Sequence, residues 1–320
     1  MSALLTATDV KTTTYNGTAL FERVRHLMGL GEWRVALQGL NAALAELRGH
    51  MEADEWQAFA REARRQPLAS VLDEDPLTRR AREKPRGYAG DAVMMDFIYG
   101  LYGYDDAVAS ASRMGRELLE CIRRTPACES VRLRREHLAR LIDDAAAGNE
   151  RPDVLAVAAG HLREVELSAA VRSGRTGRIV ALDADAESLW EVHTRYAALG
   201  VEAVRGTVRD LLAQKCNLGT FDFVYAAGLF DYLSESTGAA LTARLFELTK
   251  PGGRLLIPNF TPRCADAGYM ETFMAWRLIY RDEYDMTKLL EPIAPDRIAS
   301  YDIYSDRTGS IVYLLVRKAE

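Results

Sequence analysis

Two residues frame the chemistry open to this chain: Gly160, in the turn Ala159-Gly160-His161, and Asp183, 23 positions further on. The apolar run Val154-Leu155-Ala156-Val157-Ala158 leads into the turn, and Gly177-Arg178-Ile179-Val180-Ala181-Leu182-Asp183 is a second run that ends in the carboxylate. A glycine turn lets backbone approach a ligand, and an acid about 20 residues on can accept hydrogen bonds from a pair of ribose hydroxyls. The spacing predicts a mononucleotide-binding βαβ half, with a helix over 162–173 that turns Leu162, Val165, Ala169 and Val171 toward the sheet. The plainer role for Asp183, N-cap of a helix over 186–199, fits less well with its place at the end of a buried strand. A second polar cluster, Lys84-Pro85-Arg86-Gly87-Tyr88-Ala89-Gly90-Asp91, runs into Met94, Met95, Phe97 and Tyr99. Its proline and glycines break a helix, which suits a loop folded over a pocket or a connector whose Asp91 caps the next helix.

Other chemistries find little support. His26, His50, His137, His161 and His193 are scattered, and Cys121, Cys128, Cys216 and Cys264 form no CxxC pair, so no metal site is expected and the thiols read as reduced. A net charge of −5 and a pI near 5.7 leave no global basic field, so nucleic acid is not an expected partner. The first residues lack a basic start followed by an apolar core, and no run approaches the ~18 apolar residues of a membrane span. The expectation is a cytoplasmic protein without a membrane span and with a frayed start over residues 1–17.

Holding the polar residues takes two kinds of architecture. Residues 18–148 carry helical periodicity throughout, in stripes such as Leu20, Val24, Leu27, Met28 and Trp33, Ala36, Leu37, Leu40, Leu44, Leu47, with later stripes over 56–64, 107–123 and 131–147. They predict an all-helical N-terminal cap or substrate domain. After Arg151-Pro152 strands and helices alternate, so residues 149–320 form the ligand-binding domain. Its strands are expected at 201–205, 221–226 and 254–258, with helices over 186–199, 239–248 and 269–290, a turn at 250–253, and a closing hairpin of 298–304 with 311–316.

The series of a strand with Gly160, Asp183 closing the second strand, FDFVYAAGLFDYL, a helix, LTKPGGRLLIPNF and a terminal hairpin resembles the class I S-adenosylmethionine-dependent methyltransferases over about residues 150–320. The resemblance implies a Rossmann-like seven-stranded α/β sheet in the order 3-2-1-4-5-7-6, strand 7 antiparallel, with S-adenosylmethionine (SAM) over the carboxyl ends of strands 1, 2 and 4. It places Ala158, Ala159 and Gly160 under the methionine part of SAM, Asp183 with Ala184 at the ribose, Thr207, Val208 and Arg209 at the adenine, and Ala226, Ala227 and Gly228 where the acceptor enters. Arg163 would lie near the SAM carboxylate and Glu164 near its ammonium, or both are helix-start surface charges. Ala156, Ala158 and Leu162 stand where the family carries acidic or glycine residues, and Ala158 adds a methyl at a close-approach position. AAGHLRE, AGLFDYL, PRGYAGD and WRLIYRDEYD further resemble a bacterial subgroup with a helical N-terminal extension that includes 3-hydroxy fatty acid methyl ester synthases. That resemblance implies a cap made of the N-terminal bundle and a helix over 270–284, with the acceptor between cap and sheet.

Methyl transfer is an in-line displacement, so alignment and water exclusion carry most of the catalysis. A carboxylate acceptor arrives ionised and needs only a clamp, for which Arg86, Tyr88, Tyr232, Arg277, Tyr280 and Arg281 are candidates. A hydroxyl or amine needs a base, and His161 or Asp91 could serve. Tyr99, Phe230, Asn259 and Trp276 complete the expected substrate wall, beside the apolar Met94, Met95, Phe97, Met270, Phe273 and Met274. Arg277 and Arg281, four apart, would equally line a solvated helix face. The expected reaction is methyl transfer to an oxygen of a small lipid-like or secondary-metabolite acceptor, in a protein for which a homodimer is compatible. The alternatives are N- or C-methylation, a SAM-binding module without turnover, and a nicotinamide-dependent dehydrogenase, which normally wants three glycines in the turn.

Overall fold

In the computed structural model the described residues are 17–101, 106–148 and 150–320, so the frayed start falls outside them except for Gly17. The chain packs as two compact units, and neither is one continuous stretch. The described parts of 17–85 and 105–125, with Ala265–Trp276, form a helical unit; those of 86–104, with Pro126–Cys264 and Arg277–Glu320, form the unit that holds the sheet. A single division at 148–149 therefore does not describe the packing. Helices Ala92–Tyr99 and Pro126–Gly148 belong with the sheet.

The helical unit buries the expected stripes, with Phe21, Val24 and Met28 on helix Gly17–Gly29 and Ala36, Leu37, Leu40, Leu44 and Leu47 on helix Trp33–His50. Residues 107–123 form two helices, Asp106–Ala109 and Arg113–Ile122, because Ser112 starts the second by accepting the Gly115 N–H at 3.0 Å. The late segment Ala265–Trp276 joins this unit through polar ties: the Glu271 carboxylate accepts the Trp56 indole N–H at 2.6 Å and Arg48 Nε at 3.1 Å. Gly268 permits this approach, since a Cβ there would come within 2.9 Å of Leu44 backbone.

The second unit is built on seven strands: β1 Val154–Val157, β2 Ile179–Asp183, β3 Val201–Arg205, β4 Phe221–Tyr225, β5 Thr249–Phe260, β6 Ile298–Ser305 and β7 Ile311–Lys318. Their order is β3-β2-β1-β4-β5-β7-β6, with β7 antiparallel to both its neighbours. β1 and β2 are buried at every residue, as parallel strands covered on both faces must be. The core runs from Leu155, Val157, Val180 and Leu182 through Val224 and Leu255 to Val312 and Leu314.

Three local expectations change. The helix over 162–173 is a 3-10 turn, Arg163–Glu166, followed by a short helix Ala169–Arg172. The interruption is fixed from outside, because Asp143 accepts the Ser168 hydroxyl at 2.6 Å and the Ala170 N–H at 2.8 Å. The helix over 269–290 is two short ones, Ala267–Thr272 and Glu283–Lys288. Ala275 turns left-handed at φ 48°, and Asp282 opens the second helix in a capping box with Asp285, so Arg277 and Arg281 share no helix face. The turn at 250–253 lies within β5, which pairs with β4 at Thr249 and again from Arg254. Among the described residues no helix is long and apolar enough to cross a membrane.

Candidate active site

The loop after β1 has an unusual backbone: Ala158, Gly160 and Leu162 have φ of 51°, 54° and 51°. Only glycine adopts such angles freely. Asp183, at the end of β2 and 9 % exposed, ties this loop to its own. Its Oδ2 accepts the Gly160 N–H at 2.8 Å and its Oδ1 the Asp185 N–H at 2.9 Å. Each oxygen keeps a second lone pair for a ligand hydroxyl, so the carboxylate fits the ribose role. Gly160 is required for a nearer reason as well, since a Cβ on it would lie 3.2 Å from the Ala92 Cβ.

Segment 86–91 is bound at both ends. Arg86 donates to Asp185 Oδ2 at 2.7 Å and Ser188 Oγ at 2.8 Å and pairs with Glu187 at 3.2 Å, so its guanidinium holds the start of helix Ala186–Tyr196. Burial alone would raise the Asp185 carboxyl, but hydrogen bonding from Ser188 and the Arg86 charge hold it below the usual range. Asp91 is buried and caps helix Ala92–Tyr99 by accepting the Met94 N–H at 2.9 Å. Tyr88, 37 % exposed, lies close enough to Asp183, Asp185 and Asp91 that burial and these carboxylates push its phenol well up. It stays protonated at neutral pH.

His161, Arg163 and Glu164 all point inward. Arg163, 2 % exposed, grips Asp96 in a fork, Nε to Oδ1 at 2.8 Å and Nη2 to Oδ2 at 2.6 Å, and donates to the Tyr196 hydroxyl at 3.1 Å. His161 Nδ1 lies 2.8 Å from Asp96 Oδ2. Burial would raise the Asp96 carboxyl; hydrogen bonds from Arg163 and His161 outweigh it and hold the group below its ordinary value. Glu164 accepts the Tyr225 hydroxyl at 2.6 Å, and burial raises its carboxyl. Arg163 is therefore spent on Asp96, which the sequence did not single out, while Glu164 meets the end of β4. Tyr99 lies under the Arg135 guanidinium, 4.8 Å from its ring centre.

Beyond β4 the chain passes through the buried Ala226 and the half-buried Ala227 and Gly228 into a 3-10 turn, Phe230–Tyr232. Phe230, Asn259 and Arg281 come together beneath it. Arg281 Nη1 donates to Phe230 O at 2.7 Å and Asn259 Oδ1 at 2.8 Å, and Nη2 to Leu233 O at 2.6 Å, so this guanidinium braces the turn. Asp231 accepts the Phe260 N–H at 2.7 Å, and burial pushes its carboxyl up to about 6. Tyr232 and Arg277 are exposed and Tyr280 is half-buried; Trp276 is buried in the helical unit. Thr207 caps helix Val208–Leu212 in a box with Asp210, leaving Arg209 and Ala184 exposed. Arg134, on helix Pro126–Gly148, went unmarked in the sequence, yet it is 6 % exposed and a Cβ on Gly228 would lie 3.7 Å from both its terminal nitrogens. The signal for it was an arginine in the apolar stripe of Val131, Leu138 and Leu141.

This sheet order with its inserted antiparallel strand, and an acid closing β2 against a turn after β1, define the SAM-dependent methyltransferase fold. Residues 154–253 match the family model described as "Methyltransferase domain". The sheet unit thus carries a class I S-adenosylmethionine-dependent methyltransferase domain, and SAM is its cofactor. A search of curated proteins gives no significant sequence match. Among solved structures, a possible exported protein from Bordetella parapertussis is similar at TM-score 0.59 and 17 % identity, over 85 % of this chain and 99 % of that one. At that identity the likeness speaks to the fold alone. The N-methyltransferase NodS from Bradyrhizobium japonicum WM9, in complex with S-adenosyl-L-homocysteine (SAH), is 14 % identical over 70 % and 97 % of the two chains at TM-score 0.44. Magnesium protoporphyrin IX methyltransferase (ChlM) from Synechocystis PCC 6803 with bound SAH is 17 % identical over 60 % and 87 % at 0.44.

Proposed function

We propose that this enzyme moves the methyl group of SAM to an oxygen of a small-molecule acceptor, and that the oxygen belongs to a carboxylate of lipid-like or secondary-metabolite character. The observation that carries the reading is how the candidate bases are placed. Asp91 is buried and caps a helix, the Tyr88 phenol is held protonated by burial and three carboxylates, and His161, oriented through Nδ1 by Asp96, is only 5 % exposed. A carboxylate, ionised at neutral pH, needs no base, whereas a hydroxyl or amine does. Bound SAM supplies an electrophilic methyl on a sulfonium. The chain's own part is to hold: Asp183 supplies acceptor lone pairs to a ribose, and the loop 158–162 is fixed against helix Ala92–Tyr99. We assign acceptor selection to the helical unit and, from cysteines that form no CxxC spacing, a cytoplasmic location.

The test is calorimetric titration with SAH and with NAD, followed by incubation with SAM and a cell extract, reading SAH release and the mass of the methylated product. Binding of SAH but not NAD and a methyl ester product are expected. An N-methylated product, or tight SAH binding without SAH release from SAM, would favour the N-methyltransferase or the non-catalytic module.

A further inference from the structure

SAM and a carboxylate acceptor each bring a carboxylate that needs a cationic partner. Arg134 is 6 % exposed, and its one hydrogen bond runs from Nη2 to the Met95 sulfur at 3.9 Å. It forms no ion pair with a described residue, an expensive state for a guanidinium removed from water. The acids that feel its charge, Glu164 and Asp231, are themselves engaged with the Tyr225 hydroxyl and the Phe260 N–H. A second group nearby is in the same condition. The Tyr313 hydroxyl on β7 is buried without a hydrogen-bond partner, in a residue 2 % exposed that also feels the Arg134 charge. Burial drives that phenol well above its ordinary range, so it remains a donor. The Tyr313 ring meets His137, one helical turn beyond Arg134, edge-on at 5.1 Å between centres.

We propose that Arg134, assisted by the Tyr313 hydroxyl, is the carboxylate receptor of the site at the carboxyl end of β4. A planar fork of N–H donors matches the two oxygens of a carboxylate, and the glycine at 228 keeps side-chain bulk away from that fork. The carboxylate comes from the amino-acid end of SAM or from the acceptor. The chemistry is the same, and the assignment rests on the methyltransferase reading.

The experiment titrates SAH and 5′-methylthioadenosine, which lacks the amino-acid end, into the parent protein, Arg134→Met and Tyr313→Phe. Octanoate and octanamide are then titrated into the SAH-saturated proteins. If the cofactor supplies the carboxylate, Arg134→Met weakens SAH at least tenfold and leaves 5′-methylthioadenosine unchanged. If the acceptor supplies it, SAH binding is kept, octanoate binding to the parent is lost in Arg134→Met, and octanamide is indifferent to the change. Tyr313→Phe weakens the same carboxylate ligand several-fold. Parent-like binding of SAH and octanoate by an Arg134→Met protein that still binds 5′-methylthioadenosine overturns the assignment. Should Arg134→Met fail to fold, parent-like carboxylate binding by Tyr313→Phe and by Arg134→Lys overturns it instead. A parent protein that binds neither SAH nor 5′-methylthioadenosine sinks the methyltransferase reading, a separate result.

Discussion

Asp183→Asn is the sharpest perturbation the site offers, because it changes two atoms and leaves the shape. The carboxylate serves two N–H donors on different oxygens, Gly160 at 2.8 Å and Asp185 at 2.9 Å. An asparagine has one acceptor oxygen, so whichever way it turns, its NH2 faces one of those donors. Hydrogen bonds to a charged group are each worth about 1.5–3 kcal/mol, and an orphaned buried donor costs a similar amount, so the free protein should lose about 2–4 kcal/mol. The ligand loses more than the fold. Two ribose hydroxyls would forfeit an anionic acceptor, and at about 1.5–3 kcal/mol each the SAH dissociation constant should rise by roughly a hundredfold or more. Calorimetric titration of SAH into both proteins at matched pH, with urea denaturation for stability, reads the two effects separately. A folded Asp183→Asn protein that binds SAH within about threefold of the parent refutes the reasoning.

Gly160→Ala puts a side chain at φ 54° and 3.2 Å from the Ala92 Cβ; it should cost about 1–2 kcal/mol of backbone strain by denaturation, plus a contact term that Ala92→Gly relieves. Arg163→Met strands the Asp96 carboxylate at 1 % exposure, and a loss of about 3–5 kcal/mol in urea midpoint stability is expected; no loss would mean the buried fork contributes nothing. Burial raises the Asp231 carboxyl to about 6, so the proton it keeps in the fold stabilises below the ordinary carboxylate range, and that contribution fades as pH rises from about 4 through 6. Asp231→Asn should flatten that part of a stability-against-pH profile by up to about 3 kcal/mol, leaving the slope of Asp75, which burial also lifts to about 6; an unchanged profile would be contrary to the burial argument.

How legible the chain was depended on whether apolar periodicity or buried polar contacts set the local structure. Strands 201–205 and the closing hairpin follow from alternation and turn residues, and the fold returns them at Val201–Arg205 and at β6 and β7. Periodicity misled at 273–282, where Trp276, Ile279 and Tyr280 imitate a helix stripe but the left-handed Ala275 ends the helical path. Contacts between distant residues left no local trace. Asp96 reads as an ordinary polar residue in an apolar run, yet it anchors His161 and Arg163, 65 and 67 positions away. Arg134 hides among Arg132, Arg135 and Arg140, and only its register in the buried stripe separates it from solvated neighbours.

The same ionic contacts explain how the turn after β1 keeps its shape with so little glycine. Alanine and leucine at positive φ cost about 1–2 kcal/mol each, and conformations of that kind persist only where the surroundings over-determine them. Here both ends are fixed. Asp183 holds the Gly160 N–H, and one residue past Leu162 the Arg163 guanidinium is locked on Asp96 of helix Ala92–Tyr99. That helix is in turn capped by Asp91 and preceded by Arg86, which is fastened to Asp185 beyond β2. Loop, helix and the segment 86–91 thus form one closed circuit of buried and part-buried polar contacts around the carboxyl ends of β1 and β2. Ala158 is tolerated because its angle is imposed by its neighbours, not because the position is free, and segment 86–91 is a brace anchored at two points where a swinging lid would need one of them released.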